Sequence, residues 1–220
     1  MGIVVGLDKN KSPVKIKNLV VYACSHGKFG TAANGIWRDQ YSWPYLVARE
    51  LDLQLYNKSV EGSHNYGIFS RCLSDYHSNL IDRESLVIIQ WSHINRAWQK
   101  NGNTAMPNLS SKQSRIFYKY LYNEHQEITK VLGYTLILEK LIENLLFDFS
   151  DGRQIFERYA RDTVGVLDKI WGYMNCNNEC ITHVPANQLF PCSHLNKLGH
   201  QNQADIYAKK IQQKMEISIN

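Results

Sequence analysis

Short apolar runs alternate along this chain with longer segments of helical periodicity, and that alternation limits the fold more than any other feature. Residues 16–23 (IKNLVVYA) and Ser85–Trp91 (SLVIIQW) are β-branched and nearly continuous, as strands buried on both faces are. Residues 53–57 and Leu145–Phe149 (LLFDF) are two further strand candidates. Between and after them, residues 43–53, 66–80, 112–144 and 154–174 carry apolar side chains at helical spacing. Pro44 sits in the first turn of the first of these helices, and a break is expected near Gly133 in the third. Residues 195–217 close the chain as a helix expected to begin near Lys197, while 102–111 and 175–191 read as irregular. The pattern predicts an α/β protein, a three-layer α/β/α arrangement around a central, mostly parallel sheet of about five strands.

The chain has 220 residues, of which 44% are hydrophobic. That suits one domain spanning 1–220, with 1–15 expected as a flexible N-terminal extension, and it excludes the disordered class. The net charge of +5 is spread along the chain, and Lys9, Lys11, Lys15 and Lys17 form its densest run of one sign. No helix carries a basic recognition stripe, so nucleic acid is not an expected partner. No run of about 18 apolar residues exists to cross a membrane. The start lacks a signal-peptide core, and Gly6 stands where a myristoylation signal needs Ser or Thr. The expectation is a cytoplasmic protein with reduced thiols; Cys24 and Cys72 read as small buried hydrophobes.

Three places stand out for chemistry by location. Ser25 follows the first strand directly, in Ser25-His26-Gly27, where carboxyl ends of parallel strands line a crevice; a capping role explains it equally. Gly62 and Asn65 occupy the turn after the second strand. His194 stands just before the last helix. His26 and His64 flank the expected crevice, as substrate contacts or as solvated loop side chains. Arg96 suits an acidic group of a substrate and equally a surface ion pair. The five tryptophans read as packing.

The order of these features resembles the SGNH (GDSL-type) hydrolases over residues 18–211. Ala23-Cys24-Ser25 stands in place of the family's Gly-Asp-Ser, and Asn57-Lys58-Ser59-Val60-Glu61-Gly62 reads as its second block. Trp43-Pro44, Gly62-Ser63-His64-Asn65, Trp91-Ser92 with Arg96, and His194-x5-His200 with Ala204 look like a divergent bacterial and phage branch. The resemblance implies a serine esterase without cofactor or metal. Ser25 would be the nucleophile and His194 its base, and Gly62 with Ser92 or Asn65 would complete the oxyanion hole. The implied substrate is a small-molecule or carbohydrate ester, such as an O-acetylated sugar.

Three departures from the pattern carry chemical weight. Ser92, with Asn95 nearby, stands where the third block has an Asn, and losing one oxyanion donor costs on the order of 10²–10³ in rate. Pro191 and Cys192 occupy the positions of the usual triad aspartate, whose loss costs roughly 10⁴; Asp148 and Asp151 are the candidate replacements. Cys24 replaces the aspartate beside the nucleophile and has no assigned role. Two rival readings follow: a catalytically impaired SGNH-fold protein that binds a glycan or protein partner, and a zinc site drawn from Cys176, Cys180, His183, Cys192 and His194.

Overall fold

The computed structural model describes residues 3–5, 14–28, 30–31, 36–37, 39–94, 96–98, 104–105, 112–149 and 195–217. Strand β1 (Ile3–Val5), within the expected N-terminal extension, pairs antiparallel with β2 (Val14–Ile16). Strand β3 (Asn18–Tyr22) follows, then a short 3-10 turn at Ser25–Gly27. The two-residue strands β4 (Gly30–Thr31) and β5 (Ile36–Trp37) pair with each other. Next come helix α1 (Trp43–Glu50), strand β6 (Gln54–Asn57), helix α2 (Asn65–His77) and strand β7 (Ser85–Trp91). A short ribbon of β8 (Ala97–Trp98) and β9 (Thr104–Ala105) lies in sequence beyond β7. Helices α3 (Lys112–Tyr120) and α4 (Glu124–Leu141), strand β10 (Leu145–Phe149) and helix α5 (Lys197–Ile217) complete the described chain.

The central sheet has the strand order β10-β7-β3-β6, and all its pairings are parallel. Side chains alternate across it with the period of two that a strand imposes. Leu19 and Val21 of β3 and Leu86 and Ile88 of β7 pack with Trp43, Val47, Ala204, Tyr207 and Ile211, under α1 and α5. Val20 and Tyr22 of β3 and Val87, Ile89 and Trp91 of β7 pack with Ile68, Cys72, Ile128, Val131 and Leu138, under α2 and α4. The sheet is therefore covered on both faces, which is why its two inner strands read as nearly continuous apolar runs. Each fully buried aliphatic side chain here contributes about 1.5–3 kcal/mol. Four strands, rather than about five, make up this sheet among the described residues.

Two local expectations are corrected. The long helical stretch breaks at residues 121–123, not at Gly133. The Leu121 and Tyr122 N–H groups both donate to the Phe117 carbonyl, which ends α3. Asn123 then turns extended, and its side chain accepts the Gln126 N–H at 3.1 Å as the cap of α4. A mid-helix glycine costs about 1 kcal/mol against alanine, which a packed helix absorbs, so Gly133 stays helical. The polar stretch 102–111 is not wholly loop, since Thr104 and Ala105 pair with Trp98 and Ala97. The helical and irregular readings at 154–174 and 175–191 lie outside the described residues.

Candidate active site at the carboxyl edge of the sheet

The chain leaves β3 through α1 to β6 on one side, then passes through α2 to β7 on the other side of β3. Such a reversal opens a crevice at the carboxyl ends of the strands flanking it, here β3 and β7. The turns after these strands carry Ser25 and Ser92, and the turn after neighbouring β6 carries Gly62 and Asn65. A direct contact shows that the first two turns meet: the rings of His26 and His93 lie edge to face with centroids 5.9 Å apart.

Ser25 is 2% exposed and sits at the start of its 3-10 turn. The turn is closed by Gly27 N–H donating to the Cys24 carbonyl at 3.1 Å and Lys28 N–H to the Ser25 carbonyl at 3.0 Å. It is clamped from outside at two points. The Trp43 indole N–H donates to the His26 carbonyl at 3.1 Å, and Asn57 Nδ2 donates to the Gly27 carbonyl at 3.0 Å. Asn57 Oδ1 in turn accepts the Ser59 N–H at 3.1 Å, so one amide spans both turns. Gly27 packs so closely on the end of β6 that an added Cβ would stand 2.9 Å from Ser59 Cβ and 2.8 Å from Ala23 Cβ.

Gly62 has φ +68°, a left-handed conformation that glycine adopts without steric penalty, and its missing side chain would have faced open space. Conformation, not crowding, explains the glycine. Asn65 opens α2; it is 6% exposed, and its Oδ1 has no partner among the described residues. Ser92 is 2% exposed, and its Oγ likewise has none. Buried polar atoms are nearly always hydrogen-bonded in folded proteins, and these two exceptions lie on the turns to either side of the one that holds Ser25. Asn95 lies outside the described residues.

The loop holding Gly62 is braced from α2. Arg71 Nη2 donates to Ser63 Oγ at 2.9 Å, and His64 Nδ1 accepts the Gly67 N–H at 3.1 Å as the helix cap. Burial, then the Arg71 charge, holds the His64 imidazole below its ordinary pKa, so it serves as a neutral acceptor. His26 is buried and His64 caps a helix, so neither is a solvated loop side chain. Behind them, Tyr22 donates to Asp75 Oδ2 at 2.7 Å, and burial raises the Tyr22 pKa well above the ordinary phenol range. Lys58 Nζ stands 3.5 Å from the same carboxylate.

His194, Asp151 and the cysteines at 176, 180 and 192 lie outside the described residues. The residues that follow His194 are placed. Leu195 is buried against the α1 face, and α5 begins at Lys197. His200 Nδ1 accepts the Trp43 backbone N–H at 3.1 Å, which caps α1. Trp43 thus links the first turn of α5 to the Ser25 turn. Asp148, a candidate acid, accepts the Tyr207 hydroxyl of α5 at 2.6 Å, and Gln90 Nε2 reaches the same hydroxyl at 3.5 Å. Parallel pairing sets Asp148 opposite Gln90, so this chain crosses from the sheet to the helix that begins just after His194.

The sequence reading missed His93, the Gln90–Tyr207–Asp148 chain and the capping role of His200. A polar Gln90 inside an otherwise apolar strand was the signal for the second. Among the described residues no cluster of three or more His, Cys, Asp or Glu could hold a metal, and no helix is long and apolar enough to cross a membrane.

No protein-family model and no curated protein matches the chain. Solved structures do. One is a carbohydrate esterase whose active site displays divergent catalytic and non-catalytic binding functions, 13% identical, covering 94% of this chain and 69% of that one at TM-score 0.51. A catalytic mutant of an acetylxylan esterase from Geobacillus stearothermophilus is 17% identical, with 89% and 94% covered at TM-score 0.50. An α/β hydrolase from the metagenome of Lake Arreo, Spain, is 17% identical, with 90% and 96% covered at TM-score 0.50. At these identities the likeness is one of architecture: this chain shares the α/β/α fold of those structures, a central parallel sheet flanked by helices.

Proposed function

We propose that this protein is a serine esterase of SGNH type. Ser25 Oγ attacks the ester carbonyl carbon. His194 takes the hydroxyl proton and returns it to the leaving alcohol, and water then releases the acyl group by the same route in reverse. The N–H groups of Ser25 and Gly62, with the Asn65 amide or the Ser92 hydroxyl, hold the oxyanion. The observation that carries this reading is the meeting of the Ser25 turn with the turn after β7, beside the Gly62–Asn65 loop, where Asn65 and Ser92 keep buried, unfilled polar atoms. The esterases named above support an acylated carbohydrate as the substrate class. In the test, purified protein hydrolyses p-nitrophenyl acetate, and Ser25→Ala lowers the rate by on the order of 10⁴ or more. Equal rates for the two proteins end the assignment of Ser25.

A second reading has one observation in its favour. The positions of the usual acid hold Pro191 and Cys192, and Asp148 is engaged by Tyr207. On that reading the crevice binds a glycan without turnover, as the active site of one esterase above combines catalytic with non-catalytic binding. Absence of Ser25 labelling by a fluorophosphonate probe, together with retained glycan binding, favours it.

A further inference from the structure

We propose that the crevice is built for an ester that carries a carboxylate, and that Arg96 is the side chain that receives it. This deepens the esterase reading and rests on it for the reaction, though not for the binding.

The first observation is Arg96 itself. Its Nε and Nη1 are buried, without a hydrogen-bond partner and without an ion pair among the described residues. An unmade bond from a buried charged donor is more costly than one from a neutral group, and native structures keep few of them. A guanidinium presents its donors as a planar fork that matches a carboxylate in two parallel bonds.

The second is its place. Arg96 lies four residues beyond Ser92, on the segment leaving β7, and its backbone N–H donates to the His93 carbonyl at 3.0 Å. The His93 ring is the one that meets His26, next to Ser25. Strand β8, which begins one residue after Arg96, touches α2, the helix that Asn65 opens. Arg96 therefore sits on the segment that joins the turn after β7 to the α2 side of the strand edge.

The third is the charge of the edge. The described residues of the turns after β3, β6 and β7 include Lys28, Lys58 and Arg96, against one acid, Glu61, which is exposed. Asp75, from α2, is taken up by Tyr22 and Lys58. A strand edge with this balance of charge draws anions and repels cations.

The carboxylate can reside on the acyl part or on the alcohol part, and the experiment separates these. The specificity constant kcat/KM is measured for p-nitrophenyl acetate, p-nitrophenyl hemisuccinate, acetylated xylo-oligosaccharide and acetylated oligogalacturonate, with the unaltered protein, Arg96→Gln and Arg96→Lys. Circular dichroism and melting confirm folding of each. The anionic-to-neutral ratio is expected to fall about 10- to 100-fold in Arg96→Gln, and to recover in part in Arg96→Lys. A fall on hemisuccinate places the anion on the acyl side, and a fall on oligogalacturonate places it on the alcohol side. A ratio unaltered by both variants overturns the proposal. If no ester is turned over, calorimetric titration with succinate and with digalacturonate decides. Binding that Arg96→Gln abolishes upholds the anion site while the esterase reading fails, and binding indifferent to Arg96, or none, overturns the proposal.

Discussion

Replacing Gly27 by alanine probes the closest backbone approach beside the proposed nucleophile. The new Cβ would run into Ser59 Oγ and stand 2.9 Å from Ser59 Cβ and 2.8 Å from Ala23 Cβ. The first contact is soft. Ser59 Oγ has no partner among the described residues, so it can rotate away without losing a bond. The other two are not, because a Cβ moves only with its backbone. Ala23 directly follows β3 and its carbonyl accepts the Val60 N–H at 3.1 Å, so neither wall yields freely. Relief needs a shift of roughly half an ångström at two places, and overpacking of this kind costs about 1–3 kcal/mol. For a chain of this size that lowers the melting temperature by about 2–4 °C per kcal/mol. The same shift moves the Ser25 turn, and misplacement approaching 1 Å costs on the order of 10² in rate. Thermal melts and p-nitrophenyl acetate kinetics on Gly27→Ala, Ser59→Gly and the double variant form the assay. The double variant removes both Ser59 contacts, so it recovers part of the loss, as a coupling between neighbours requires. Gly27→Ala with an unchanged melt and an unchanged rate refutes the crowding argument.

Three further outcomes are expected. Tyr207→Phe deletes the 2.6 Å bond to Asp148 and lowers stability by about 1.5–3 kcal/mol in urea titration; a loss under about 0.5 kcal/mol means the carboxylate does not depend on that hydroxyl. The His64 imidazole is held below the ordinary value of 6.5 in the folded protein, by burial and by Arg71, so its share of stability is complete above about pH 6.5 and is lost as pH falls through the folded value. His64→Asn keeps an acceptor for the Gly67 N–H and no longer titrates, so its melting temperature declines less than that of the unaltered protein between pH 8 and pH 5; parallel curves contradict the assignment. The Cys72 thiol, pushed up to about 12 by burial and then by Asp75, and fully buried, reacts with iodoacetamide at pH 8 far more slowly in the folded than in the unfolded protein, as mass spectrometry of the Cys72 peptide reads; equal rates contradict it.

The legible parts of this molecule are those whose signal is local. Ser85–Trp91 and Leu145–Phe149 begin and end where their apolar runs do, and α5 begins at the expected Lys197. Trp43-Pro44 opens α1 because a proline in the first turn forfeits no helical bond. The break at 121–123 escaped notice because the glycine at 133 is the louder residue. The true stop is a cap, Asn123, whose effect depends on backbone angles that composition does not display.

The site divides along the same line. Sequence alone determined that a parallel sheet forms and that Ser25, Gly62, Asn65 and Ser92 fall just beyond its strands, since strand ends follow from where apolar runs stop. Only the tertiary structure decided which of those ends are neighbours. The order β10-β7-β3-β6 sets the Ser25 turn between the other two, brings His93 to His26, and aligns Asp148 with Gln90 under Tyr207. It also ties His200 to Trp43 across 157 residues. The physical reason is that strand order and register arise from how two faces of one sheet are covered by helices, and that choice is made by packing among residues far apart in the chain.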